Sequence, residues 1–149
     1  MKKNVSINDI VPLIVETVNN GGKFRLYPKG ISMMPLIREN KDSVLLEKCE
    51  SISKDDILLY RRKEGVYVLH RVISVCDSLT FCGDNQHVYE RNVPKENVIA
   101  KVCAVYRKER IKKCDGFYMK LYLKYIKLRR KKRVLFRLAG KFLKRVFGK

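Results

Sequence analysis

Tryptophan is absent from the 149-residue chain, and histidine occurs only at His70 and His87. Any imidazole chemistry rests on those two residues. The five cysteines, Cys49, Cys76, Cys82, Cys103 and Cys114, are odd in number and form no Cys-x-x-Cys pair. That argues against zinc or a disulfide framework and for free thiols in a reducing compartment. No apolar run approaches the ~20 residues of a membrane-spanning helix. The longest near the N-terminus, residues 10–15, is interrupted by Pro12 and flanked by Asp9 and Glu16. Lys2 and Lys3 imitate the start of a signal peptide, but no small-residue cleavage site follows the run. The chain therefore reads as unexported and cytoplasmic. Internal repeats and low-complexity linkers are missing too. Acidic residues are nearly missing from one region: residues 111–149 hold 15 Lys and Arg and only Asp115.

What is present separates into two parts. Hydrophobic residues make up 46 % of the chain, enough for a core and too many for a wholly disordered protein. The net charge is +19, yet residues 1–110 carry 19 basic and 14 acidic residues. A near-neutral domain is thus followed by a strongly basic tail. The spacing predicts an N-terminal helical segment within residues 1–22, a β domain over 23–110 and a basic amphipathic helix over 111–149.

Ser6 suits an N-cap, Asp9 suits a first helical turn, and Ile7, Ile10, Val11, Ile14 and Val18 recur at helical spacing. Asn19-Asn20-Gly21-Gly22 ends the helix. Short β-type runs follow: Phe24-Arg25-Leu26-Tyr27, Val44-Leu45-Leu46, Ile57-Leu58-Leu59-Tyr60, residues 67–73, Leu79-Thr80-Phe81 and residues 98–106. A turn at Lys54-Asp55-Asp56 precedes the third run, and a hairpin around Lys63-Glu64-Gly65 joins the third to the fourth. No helix of useful length fits between them, so the expected fold is mainly β and antiparallel. Beyond Phe117, Leu121, Tyr125, Leu128, Leu135, Leu138, Phe142 and Val146 fall near one helical face, interrupted by Arg129-Arg130-Lys131-Lys132-Arg133.

Three stretches carry chemistry: Gly30-Ile31-Ser32-Met33-Met34-Pro35; Leu69-His70-Arg71-Val72, preceded by Asp56-Ile57-Leu58-Leu59-Tyr60; and Phe81-Cys82-Gly83-Asp84-Asn85, with Glu90 six positions after Asp84. A serine hydroxyl is a poor nucleophile until a base lies within hydrogen-bond reach. Histidine suits that task because its pKa lies near working pH, and a carboxylate can orient the imidazole. Asp84 and Glu90 are both candidates for that carboxylate. Asp84 next to Gly83 also suits an Asx-turn, and Met33 and Met34 suit either a substrate cleft or core filling. His87 reads as a loop histidine exposed to solvent.

These three stretches and the run over residues 56–60, in chain order, resemble the signal peptidase I / LexA-like serine peptidase superfamily over residues 24–106. Ser32-Met33-Met34-Pro35 is similar to the nucleophile box. Asp56-Ile57-Leu58-Leu59-Tyr60 resembles the "G-D-I-V-x-[FY]" strand, with Asp55 where glycine is usual. His70-Arg71-Val72 resembles the base-bearing strand, and Gly83-Asp84-Asn85 the "G-D-N" box. Histidine rather than lysine at position 70 is similar to the endoplasmic-reticulum, archaeal and SipW-like signal peptidases. The resemblance implies a serine endopeptidase in which Ser32 attacks, His70 is the base, and Glu90 or Asp84 assists. It implies a peptide or precursor-protein substrate and no metal or organic cofactor. Two features depart from it. Gly30-Ile31 replaces the usual Ser-Gly, so an oxyanion hole would rest on backbone N–H groups such as that of Ser32. No N-terminal transmembrane anchor is evident, which argues against cleavage of secretory preproteins on the far side of a membrane. LexA-like self-cleavage is the enzymatic alternative, though no DNA-reading domain precedes the core. A non-catalytic peptidase-fold module is the other. For the tail, Arg129, Arg130, Lys131, Lys132 and Arg133 suit contact with an anionic membrane at the inner face, because apolar residues surround them. Nucleic acid ranks second, since no reading motif accompanies the charge.

Overall fold

The computed structural model describes residues 6–108 and 110–147, apart from the side chains of residues 137 and 140–147. Lys2 and Lys3, and the side chains of Phe142 and Val146, lie outside the described residues. Helix α1 (Ile7–Asn19) precedes strands β1 (Phe24–Leu26), β2 (Asp42–Glu47), β3 (Ile57–Arg61), β4 (Tyr67–Val75), β5 (Leu79–Cys82), β6 (Glu90–Val93), β7 (Val98–Arg107) and β8 (Arg110–Lys113). Helix α2 (Phe117–Phe147) follows. The strands form one antiparallel sheet in the order β1-β2-β7-β3-β4-β5-β6, with β8 also paired to β7. The fold is mainly β with a helix at each end.

Local chemistry explains most boundaries. Ser6 caps α1, its hydroxyl accepting from the Asn8 N–H at 3.3 Å. The β3–β4 hairpin turns at Gly65, whose φ of 82° favours glycine. Asp55 opens β3 from the left-handed region at φ 76°. This is the position where the resemblance expects glycine, and the Asp55 carboxylate is held there by Lys127 at 2.9 Å.

Strand β3 is buried on both faces. Ile57 and Leu59 join a large apolar cluster with Val11, Ile14 and Val18 of α1 and Met119, Tyr122 and Ile126 of α2. Leu58 and Tyr60 face the other way, into a smaller cluster with Val72, Leu79, Phe81 and Val93. The alternation is that of a pleated strand. Both helices therefore pack into the core of the β domain rather than standing apart from it.

Two strands lie where the sequence pattern suggests none. Glu90-Arg91-Asn92-Val93 and Arg110-Ile111-Lys112-Lys113 carry no run of alternating apolar residues. They pair with β5 and β7 through backbone hydrogen bonds and gain their conformation there. The β domain consequently runs to Lys113, and the terminal helix starts at Phe117 rather than near 111. Helix α2 also faces the opposite way from its most apolar stripe. Met119, Tyr122 and Ile126 are buried, whereas Phe117, Leu121, Tyr125, Leu128, Leu135 and Leu138 are exposed. No helix among the described residues is long and apolar enough to cross a membrane.

Candidate active site

His70 and Arg71 are consecutive on β4, so their side chains leave opposite faces of the sheet. Both are buried, at 2 % and 1 % exposure. This alternation separates the two carboxylates left open by the sequence.

On the face of Leu58 and Tyr60, His70 Nδ1 lies 3.1 Å from Glu90 Oε1 and 3.2 Å from the Tyr60 hydroxyl. Tyr60 donates to Glu90 Oε2 at 2.6 Å. Arg62 Nε donates to the same oxygen at 2.8 Å, and Arg62 Nη2 bonds Glu90 Oε1. Tyr60 is fixed by stacking on Phe81, with ring centroids 3.9 Å apart. An ionised carboxylate only accepts, and the Tyr60 proton is committed to it. Nδ1 must therefore carry the imidazole hydrogen, which leaves the Nε2 lone pair as the acceptor.

Burial is the main influence on His70 and lowers its pKa, while Glu90 pulls in the other direction. The net shift is downward, so the ring is neutral over a wider range of pH. Burial pushes the Glu90 carboxyl up, but hydrogen bonds from Arg62 and Tyr60 outweigh it and hold the group below the usual carboxylate range. Burial and the Glu90 contact both raise Tyr60, which keeps its proton.

On the other face, Arg71 Nε and Nη2 donate to Asp84 at 2.8 and 2.7 Å. Tyr122 of α2 donates to Asp84 Oδ2 at 3.0 Å, and Arg71 Nη1 donates to the Asp55 carbonyl at 2.7 Å. Asp84 is thus a structural counter-ion that ties β4, the loop after β5 and α2 together. Glu90 is the carboxylate that meets the imidazole.

That same loop seats the candidate nucleophile. The Asn85 N–H donates to the Ser32 carbonyl at 2.8 Å, and Asn85 Nδ2 donates to the Ile31 carbonyl at 3.3 Å. Gly83 allows this approach, because a Cβ there would sit 2.7 Å from Ser32 O. Gly30 enters the turn at φ 91°, in the left-handed region that suits glycine. Ser32 itself is half-buried. The Ser32 turn is bonded to Asn85, Asp84 to Arg71, and Arg71 is chain neighbour to His70. Among the described contacts, the His70 ring bonds Tyr60 and Glu90 and does not bond the Ser32 hydroxyl.

A cavity of about 390 Å³ opens beside Ser32, lined among others by Met33, Ile10, Leu26, Leu59 and Leu69. Met33 is 4 % exposed and serves both the cavity wall and the core. Met34 is half-buried and does not line this cavity. Strand β5 pairs with β4 only from Arg71 to Val75, and Tyr67, Val68 and Leu69 of the unpaired part line the cavity, whereas His70 does not. His87 is exposed. The basic cluster of α2 divides. Arg129, Arg130 and Arg133 are half-buried against the Asp84–Asn85 loop, while Lys131 and Lys132 point to solvent. The five cysteines are unpaired, and burial pushes the Cys114 thiol up to about 12.

Tyr60, Arg62 and Tyr122 were not singled out by sequence reasoning. The signal available for the first two was the spacing of Leu58, Tyr60 and Arg62, which puts a phenol and a guanidinium on the His70 face of one strand. Nothing comparable marks Tyr122. No family model matches the chain, and no curated protein matches it.

Proposed function

We propose that the protein is a serine endopeptidase of the signal-peptidase-like type, with Ser32 as nucleophile, His70 as base and Glu90 as the residue orienting it. The observation that carries this reading is the imidazole itself. It is buried, its Nδ1–H is fixed on a carboxylate, and that carboxylate is fixed by Arg62 and Tyr60. A histidine serving only the core does not need a carboxylate, itself anchored by two side chains, to set its tautomer.

In the proposed reaction an extended segment of a peptide or precursor protein lies along the free part of β4, adding as a strand beside Tyr67–His70. The cavity takes its apolar side chains. Ser32 Oγ attacks the peptide carbonyl carbon, and its proton passes to His70 Nε2. The Ser32 backbone N–H helps stabilise the developing oxyanion. His70 then returns the proton to the leaving amine as the C–N bond breaks. Water hydrolyses the resulting ester, again with His70 taking and returning the proton. Catalytic hydrogen bonds are often long in substrate-free proteins and tighten when substrate binds. Peptide-library digestion by wild type and Ser32→Ala, read by mass spectrometry, tests the reading. Cleavage by wild type alone supports it. Equal product from both, or from neither, removes it.

The exposed stripe of α2 favours a second activity, attachment to an anionic membrane surface at the inner face. Phe117, Leu121, Leu128, Leu135 and Leu138 lie at helical spacing on one exposed face, and Lys131 and Lys132 are exposed nearby. Such a helix dips its apolar face into the headgroup boundary while lysines meet anionic lipid. Flotation with phosphatidylserine vesicles is expected. Equal recovery with phosphatidylcholine alone would remove this part of the reading.

A further inference from the structure

Three arginines of α2 converge on the loop that seats Ser32. Arg129 Nη2 and Arg133 Nη2 donate to Asn85 Oδ1 at 3.1 and 3.5 Å. Arg130 Nη2 reaches Asp84 Oδ1 at 3.5 Å. These contacts do not satisfy the cluster. Asn85 offers a neutral amide, and Asp84 is already held by two short bonds from Arg71. Two guanidiniums thus share the Asp84 carboxylate, and two rest on the Asn85 amide oxygen. Arg130 Nε and Arg133 Nη1 are buried and have no hydrogen-bond partner among the described residues. Buried polar groups in folded proteins almost always find one, and a guanidinium N–H is satisfied best by an anion.

We propose that Arg130 and Arg133, supported by Arg129, form an anion subsite that takes an Asp or Glu side chain of the peptide substrate close to the scissile bond. The placement follows from Asn85. Its side-chain oxygen holds two of the arginines, while its own N–H groups hold the carbonyls of Ile31 and Ser32. An anion on these arginines therefore lies about one side chain from the Ser32 turn. Guanidinium forks match the two oxygens of a carboxylate. This inference rests on the peptidase reading and adds a specificity to it.

The test uses the full chain and two readouts. In the first, thermal unfolding is followed in sodium sulfate and sodium chloride at equal ionic strength. Sulfate is expected to raise the midpoint of wild type by several degrees more than that of Arg130→Gln/Arg133→Gln. In the second, matched peptides carrying Glu or Gln near the cleavage site are compared. The ratio of kcat/KM for Glu over Gln is expected to be tenfold or more in wild type and near one in Arg133→Gln. Arg133→Glu should shift the preference toward Lys, which a merely structural role would not do. Cleavage without an acidic preference, or the same sulfate effect in both forms, overturns the inference while the peptidase reading stands. Wild type that cleaves no peptide removes the peptidase reading and the substrate assignment together.

Discussion

Asp84→Asn isolates the charge of the buried Arg71–Asp84 pair. The change keeps the shape of the side chain and removes one negative charge. Arg71 is then a guanidinium at 1 % exposure whose remaining acceptors are the Asp55 carbonyl and a single amide oxygen. One of the two N–H groups now on Asp84 must face an NH2 group instead. Leaving a buried donor unmade costs about 1–3 kcal/mol. Removing one partner of a buried pair costs about 3–5 kcal/mol in all, because the other charge is stranded away from water. With domain stabilities of about 5–15 kcal/mol, that lowers the folded-to-unfolded ratio by more than a hundredfold. Urea unfolding followed by far-UV circular dichroism measures it, which suits a chain without tryptophan. The apolar double replacement Arg71→Met/Asp84→Leu is expected to lose less stability than Asp84→Asn, since neither charge is then buried. A loss below about 1 kcal/mol for Asp84→Asn, or a double variant worse than the single one, would refute the counter-ion role.

Glu90→Gln should behave differently, lowering kcat/KM by about 10²–10⁴-fold under the proposed mechanism with a smaller loss of stability, because Arg62 can turn to solvent. Steady-state kinetics and urea unfolding of the same preparation separate the two effects. Gly83→Ala should cost about 1–3 kcal/mol, since its Cβ would meet Ser32 O at 2.7 Å and Gln86 Oε1 at 2.9 Å. The amide resonance of Asn85 should shift as its bond to Ser32 breaks. The fold lowers the pKa of His70, chiefly by burial, from its ordinary 6.5, so the unfolded chain takes up the proton first. Stability should therefore fall as pH drops below 6.5 toward the folded value and should not change above it on account of this group. Melting temperature against pH for wild type and His70→Asn checks the slope.

The strands carrying alternating or continuous apolar runs were legible in the residues, as were the α1 cap, the Gly65 hairpin and the turn at Asp55. Each is a local matter of side-chain period or backbone preference. β6 and β8 were not legible, because short polar strands gain their conformation from a partner supplied by distant sequence. The site was legible to the same extent. Ser32, His70 and the two carboxylates could be picked out, yet nothing in their spacing ranked Glu90 over Asp84.

What the residues settled alone was therefore composition, period and turn chemistry: a β core rich in branched side chains, a capped first helix and a basic last one. What the tertiary structure decided was which face each group takes. Pleating sends His70 to Glu90 and Arg71 to Asp84, although they are neighbours in the chain. Docking of α2 buries Met119, Tyr122 and Ile126 and leaves its longer apolar stripe outside, because the loop after β5 and the turn before β3 offer Asp84, Asn85 and Asp55 to the tyrosine, arginines and lysine of the opposite face. A helical period shows that a face exists, but only the partner surface selects which one is buried.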